Sequence, residues 1–363
     1  MIKTFDYLRS LDSIESEIME CIQNVLRSGF LILGPETEAF EQEFADFVGV
    51  KYCIGVNSGT TALHLALMGL GVGPGDEVIT VANTCVPTIS AIELCGAKPV
   101  FIDVREEDLM IDPDQIAQAI TPRTRCLLPV HLWGQSLDLD RIRQIASQEH
   151  LLLVEDCAQA HGTRYQNQHV GTFGQAGCFS FYPTKNLGAY GDAGAIVTND
   201  RALADRLRRM RMYGYDHRNQ SLEPGMNARI AELQAAILRV KLRYLPQWLA
   251  RRRQIATYYA DHIANPQIRL PYRYADRDHA FHQYVIRCQA RERVIAALQQ
   301  QAIGFGIHYP VPVHKMPAYQ RLQDSSSPLP VTEAASTEIL SLPIHEALLD
   351  EEVEKIVSSV NSV

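Results

Sequence analysis

Residues 176–199 read AGCFSFYPTKNLGAYGDAGAIVTN, and the fold of the chain turns on how this stretch is interpreted. The apolar run from Cys178 to Tyr182 predicts a buried strand, and Ala195 to Thr198 predicts a second. The loop between them contains Pro183, Gly188, Gly191 and Gly194, with Lys185 in its middle. A lone lysine is most often a solvated surface residue. This one stands between two apolar runs on a glycine-rich loop. Loss of solvent there lowers an amine's pKa toward that of a nucleophile able to form a Schiff base with a carbonyl compound.

Upstream, from residue 51 onward, short apolar runs alternate with helix-length segments. The runs are CIGV (53–56), EVITV (77–81), PVFIDV (99–104), RCLLPV (125–130) and LLLVED (151–156), with helical patterns such as Ile116 to Ile120 and Leu139 to Ala146 between them. Alternation of this kind builds βαβ units and a mostly parallel sheet covered by helices on both faces. Ligands of such sheets collect beyond the carboxyl ends of the strands. Before the sheet, Ile14 to Leu26 predicts a helix capped by Asp12 or Ser13, and a second helix starts at Pro35. After Asn199 helical periodicity dominates to about residue 262, with Pro246 expected to divide or bend it. The remainder predicts a strand (Gln283 to Cys288), a helix (Glu292 to Gln301), a Pro-rich extended loop (Tyr309 to Pro317), a mobile surface turn at Ser325 to Ser327 and a final helix from Asp350. The expected division is a large α/β domain over 1–245, with its N-terminal helical segment, and a small C-terminal α+β domain over 246–363.

Composition narrows the function. The chain has 363 residues, 46% hydrophobic and 21% charged, with a net charge of −8. That balance argues against non-specific nucleic-acid binding, and Arg251–Arg253 is too short a basic run to reverse it. No apolar run reaches membrane-spanning length. The N-terminal stretch has acidic residues where a signal peptide needs an apolar core, so a cytoplasmic location is expected. The eight cysteines form no Cys-x-x-Cys pair and read as reduced core residues, with no metal site expected.

Two further motifs join Lys185. In VNSGTTALHLAL (56–67) a strand runs into a helix. Gly59 allows close backbone approach to an anion, and the free N–H groups at Thr60 and Thr61 can grip a phosphate. Alone, the motif reads more simply as a turn capped by Ser58. In VEDCAQAHG (154–162) Asp156 ends a buried strand, where an unpaired carboxylate is costly and calls for a cationic partner. A protonated pyridine nitrogen is such a partner, and Gln159 can reach the phenolic oxygen of the same ring. Read alone, Asp156 is equally a structural cap. Ser180, on the strand before Lys185, can add a hydroxyl to the phosphate. A phosphate-gripping helix start, a strand-end carboxylate and a loop lysine, in this order, jointly describe a pyridoxal 5'-phosphate site.

The sequence also resembles the DegT/DnrJ/EryC1/StrS sugar aminotransferases, pyridoxal-phosphate enzymes of fold type I with the aspartate-aminotransferase-like architecture. The resemblance covers essentially the whole chain, through GPE-x-x-x-FE (34–41), NSGTTAL (57–63), EDCAQAHG (155–162), SFYPTKNLGAYGD (180–192), GMNARIAELQAAILRVKL (225–242), YPVPVHKMPAY (309–319) and LPIHEALLDEEV (342–353). It implies that Lys185 carries the cofactor as a Schiff base, that Asp156 binds the ring nitrogen, and that Gln159 lies near the ring oxygen. Gly59, Thr60 and Ser180 would hold the phosphate. Asn227, at the start of an expected helix from Ala228 to Leu242, would reach the phosphate of a neighbouring subunit, making a homodimer with shared sites. Cys85 stands where the family often has an aromatic residue stacked on the ring, so its stacking contribution is smaller and cofactor retention weaker. The implied reaction takes an amino group from L-glutamate, holds it as pyridoxamine 5'-phosphate and delivers it to a keto sugar on a nucleotide diphosphate. Dehydratases of the family carry histidine at the position of Lys185, which favours amino transfer here. SFYPTKNLGAYGD resembles enzymes acting at C3, whereas those acting at C4 more often show SFH. Tyr309, His314 and Tyr319 are candidate nucleotide-sugar contacts. Two other readings are a non-catalytic regulator on the same scaffold, which predicts loss of Lys185 or Asp156, and an α/β protein that binds a phosphate ligand alone.

Overall fold

A computed structural model describes residues 1–322 and 328–363. The turn expected at Ser325 to Ser327 lies outside the described residues. The apolar runs become strands β1 (Tyr52–Val56), β2 (Glu77–Val81), β3 (Lys98–Ile102), β4 (Thr124–Leu127) and β5 (Leu152–Asp156). A small hairpin follows, β6 (Arg164–Tyr165) and β7 (Gln168–His169), and then β8 (Ala176–Ser180) and β9 (Gly194–Thr198). Seven of these form one sheet in the order β1-β9-β8-β5-β4-β2-β3. From β8 to β3 all neighbours are parallel, while β9 runs antiparallel to both β1 and β8.

This register gathers the three motifs at one edge. Gly194 pairs with Val56 on one side and with Ser180 on the other, and Asp156 pairs with Cys178. The carboxyl ends of β1, β5 and β8 therefore point the same way, and the Lys185 loop closes the β8–β9 hairpin above them. Phe181 and Tyr182, expected to prolong β8, belong to that loop instead. Phe181 turns into the core, where its ring meets Phe40 and Phe44 edge-on, and Tyr182 turns out and is 53% exposed.

The helix over Glu232–His262 is 31 residues long and continuous through Pro246, so the proline does not divide it. Its Leu238, Leu245 and Leu249 lie in the main core, its Ile255, Ala256 and Tyr259 in a second cluster, and its Ile237, Val240 and Trp248 in a third. Burial of this extent outweighs the ~3 kcal/mol that an internal proline costs. The helix starts at Glu232 rather than Ala228. Asn227 and Ala231 instead form extended bridges to Met212 and Ile32. Residue 245, the expected domain limit, falls inside this helix, which carries the chain from the main core to the second cluster. That cluster joins Ile2 to residues between 255 and 360 around an antiparallel sheet of β10 (Ile268–Arg269), β11 (Tyr284–Cys288) and β12 (Ile339–Leu342). No described helix is long and apolar enough to cross a membrane.

One carboxylate caps the helix that leads from the N-terminal segment into the sheet. The helix Pro35–Val48 has Gly34 at its cap position and so no capping side chain of its own. Glu232, fully buried, accepts hydrogen bonds from the N–H groups of Gly34, Glu36 and Thr37 at 2.8, 2.6 and 3.2 Å, and from Thr37 Oγ1 at 2.6 Å. It answers donors that would otherwise stay unsatisfied and places negative charge at a helix N-terminus. Glu232→Ala is expected to destabilise the protein by about 2–4 kcal/mol in a chemical denaturation experiment, and a loss under about 1 kcal/mol would show that this cap is replaceable.

Candidate active site

The three motifs enclose a cavity of about 290 Å³. Gly59, Thr60, Cys85, Asp156, Gln159, Ser180 and Lys185, all singled out from sequence, line it. A larger recess of about 870 Å³ lies elsewhere, between Glu106 and the 266–293 segment, and carries none of these groups.

At the helix start, Ser58 Oγ accepts the Thr61 N–H at 3.1 Å, and Ser58 O accepts the Ala62 N–H at 3.0 Å. The free donors are therefore at Gly59 and Thr60, one residue earlier than the pair Thr60 and Thr61 read from sequence. A Cβ on Gly59 would stand 2.6 Å from Ser180 Cβ, so only glycine lets this turn lie against the end of β8. The result is a pair of N–H groups with the Ser180 hydroxyl beside them, a set of donors suited to an anion.

Asp156, 4% exposed, ends β5 facing the cavity, while Glu155 faces the other side of the sheet. Glu155 is consumed structurally, accepting from the N–H groups of Gly171, Phe173 and Gly174 and contacting His131 Nε2 at 3.1 Å. Asp156 Oδ2 accepts from Thr88 Oγ1 at 2.8 Å, and Oδ1 from the Ala158 N–H at 3.0 Å. Burial pushes its carboxyl above the ordinary carboxylate range, although these hydrogen bonds and the charge of Lys185 pull the other way. Its described partners are neutral hydrogen-bond donors, with no ion pair among them.

Lys185 is half-buried, and its N–H closes a turn to Tyr182 O at 2.8 Å. Burial pulls its ammonium below the ordinary lysine value, with Cys85 and Asp156 opposing the shift. The cavity thus holds an amine shifted toward its nucleophilic form, a carboxylate short of a cation and a cradle for an anion. A small aromatic ring bearing a basic nitrogen, an aldehyde and a phosphate matches all three.

Gln159 is more committed than its sequence position shows. Its Oε1 accepts the Trp133 N–H at 2.8 Å, and its Nε2 donates to Tyr309 OH at 3.0 Å, leaving one amide hydrogen for a ligand. Trp133 takes a left-handed conformation with φ of 59°, and its indole N–H donates to His308 O at 3.1 Å, which closes a ring of contacts between the sheet edge and the Pro-rich loop. Tyr309 is thereby tied to the cavity wall beside Cys85, and burial raises its phenol above the ordinary tyrosine value.

The other two loop candidates are not brought to the cavity. His314 is 1% exposed and bonded to Glu333 at 3.1 Å, with its ring 6.3 Å from that of Phe101. Tyr319 is bonded through its hydroxyl to Ser90 Oγ at 2.9 Å. Asn227 is exposed and does not line the cavity of its own chain; its Oδ1 accepts from Arg229 Nε at 3.0 Å. Among lining residues, sequence reading missed Thr84, Thr88, Tyr182 and Asp192. Thr88 stands three residues after Cys85, but its task of holding Asp156 depends on a contact 68 positions away.

The raised carboxyl of Asp156 carries a stability consequence. A group whose folded pKa exceeds its unfolded value lowers stability as pH climbs past the unfolded value, because the folded state must then hold an unwelcome charge. Asp156→Asn removes that charge and keeps the shape. Without ligand, the variant is expected to melt no lower than the parent at about pH 8 in calorimetry, even though it loses turnover. A fall of several degrees would mean that the ionised carboxylate stabilises the empty cavity.

Comparison with known proteins agrees with this geometry. The model of the DegT/DnrJ/EryC1/StrS aminotransferase family matches residues 12–361. The chain is 44% identical to the dTDP-3-amino-3,4,6-trideoxy-alpha-D-glucose transaminase of Micromonospora megalomicea subsp. nigra, covering 99% of this chain and 98% of that protein. It is 46% identical to the dTDP-3-amino-3,6-dideoxy-alpha-D-galactopyranose transaminase of Aneurinibacillus thermoaerophilus, covering 96% and 95%. The crystal structure of S. venezuelae DesV in complex with a ketimine intermediate superposes with a TM-score of 0.97 at 41% identity, over 99% of this chain and 98% of that one. Fold, cavity and sequence agree: the chain belongs to the DegT/DnrJ/EryC1/StrS aminotransferase family.

Proposed function

We propose that this enzyme transfers the amino group of L-glutamate to C3 of a 3-keto sugar carried on a nucleotide diphosphate, using pyridoxal 5'-phosphate. The observation that carries the reading is that one cavity brings together the Lys185 amine, pulled below the ordinary lysine value by burial, and the buried Asp156 carboxylate, which has no ion pair among the described residues. Pyridoxal 5'-phosphate supplies an aldehyde for the amine and a ring that, protonated at nitrogen, withdraws electrons from the reacting carbon. Asp156 keeps that nitrogen protonated. Gly59, Thr60 and Ser180 hold the phosphate, and the free Gln159 amide hydrogen orients the ring oxygen, with Tyr309 fixing the amide. The Lys185 amine, when free, would move a proton at the donor's α-carbon, acting as base and afterwards as acid. In the second half of the cycle it moves the proton in the reverse sense at the sugar carbon. The balance is glutamate plus keto sugar giving 2-oxoglutarate plus amino sugar. C3 is supported by the relatives named for 3-amino sugars and by the resemblance of 180–192 to C3 enzymes.

The active unit is a homodimer whose sites are completed across the interface. Asn227 is exposed and is not among the residues lining its own cavity. Exposed apolar side chains, Phe30, Leu31, Ile32, Tyr213, Tyr215 and Leu222, lie on segments connected by the bridges Ile32 to Ala231, Met212 to Asn227 and Tyr215 to Ser221. Exposed apolar side chains on segments bridged to that of Asn227 fit a second copy of the chain.

Two measurements test these readings. The pyridoxamine form, offered a panel of 3-keto and 4-keto nucleotide sugars, is expected to aminate the 3-keto members; amination of the 4-keto members alone would move the reaction to C4. Mixing Lys185→Ala and Asn227→Ala chains is expected to restore about a quarter of parental activity after subunit exchange, since half the dimers are mixed and each mixed dimer has one intact site. No recovery after demonstrated exchange would show that each chain completes its own site.

A further inference from the structure

The Lys185 loop is one closed piece of backbone. A Cβ on Gly188 would stand 2.3 Å from Pro183 O, so the two limbs of the loop touch. The Lys185 N–H donates to Tyr182 O and the Ala189 N–H to Phe181 O, both at 2.8 Å. Whatever fixes Gly188 therefore fixes Lys185 as well.

The long helix Glu232–His262 reaches this loop with two polar side chains, two turns apart on one face. Gln234 Oε1 accepts the Tyr190 N–H at 2.8 Å, and Lys241 Nζ donates to Gly188 O. Lys241 is 7% exposed and has no carboxylate within ion-pair distance among the described residues; its ammonium lies 4.6 Å from the Tyr190 ring centre and 5.9 Å from that of Trp248. Burial pulls its pKa down to about 8, opposed by the more distant Glu346. A methionine would fill the same space beside Trp248 without this desolvation cost, so the cluster gains nothing in packing from a buried amine. What the amine adds is a donor to Gly188.

We propose that Gln234 and Lys241 are positioning residues that clamp the Lys185 loop to the long helix, so that the Lys185 amine is presented to the cavity before any substrate arrives. The catalytic part of this inference rests on the role given to Lys185 above, while the clamp itself rests on the two contacts alone. Removing either contact frees the backbone of 182–191 without touching a cavity-lining side chain.

The test compares full-length Lys241→Met, Lys241→Arg and Gln234→Leu with the parent. Hydrogen exchange of peptides covering 182–191 is expected to accelerate about tenfold or more in Lys241→Met and Gln234→Leu, with exchange in β2 unchanged. Turnover should fall about tenfold or more with KM for the amino donor within about twofold, and Lys241→Arg, which keeps a donor, should recover part of both. Parental exchange over 182–191 in both variants overturns the clamp, whatever happens to turnover. If Lys241→Met does not fold, Gln234→Leu decides alone. Should the parent show no transamination, the proposed function fails, and the exchange comparison still decides the clamp.

Discussion

The site depends on a carboxylate placed where a carboxylate is unwelcome. Asp156 is buried at the end of a central strand, and its hydrogen-bond donors among the described residues are a threonine hydroxyl and a backbone N–H. Two neutral hydrogen bonds do not repay the desolvation of a charge, so the folded protein holds a site that is incomplete until a cation enters it. The surroundings arrange for that entry: an amine opposite, an anion cradle to one side, and a cavity of a size that fits a small ring.

Sheet topology turns this demand into a site. Because β1, β5 and β8 end at one edge, three segments distant in sequence each contribute one chemical function there. The antiparallel β9 is the exception that matters. It doubles the chain back beside β8, so the Lys185 loop is a hairpin closure pinned at both ends rather than a long crossover. From below, the long helix holds the same loop at Gly188 and Tyr190. From the side, Gln159, Trp133 and Tyr309 tie the Pro-rich loop to the sheet edge.

Much of this was legible in the sequence, for a physical reason. Asp156 ends a strand, and Gly59 and Lys185 lie within a few residues beyond one; strand ends are marked locally by where the apolar run stops. Thr88, Trp133 and Tyr182 carry no local mark, since their tasks arise only when distant segments meet. His314 and Tyr319 were candidates because they share a loop with Tyr309, but the loop curls so that one is buried on Glu333 and the other bonded to Ser90. The start of the long helix was misplaced because Ala228 and Ile230 are buried in an extended segment, and a short apolar pattern does not separate that from a helical turn. Pro246 signals a division or bend because propensity is local, whereas the packing that keeps the helix undivided is not.

The central claim is that Asp156 keeps a bound pyridine ring protonated. The most direct measurement is the ¹⁵N chemical shift of the ring nitrogen in enzyme loaded with ¹⁵N-labelled pyridoxal 5'-phosphate, followed across the neutral and mildly alkaline range. The account predicts a pyridinium shift throughout in the parent and a shift toward neutral pyridine in Asp156→Asn. A neutral-pyridine shift in the parent would contradict it.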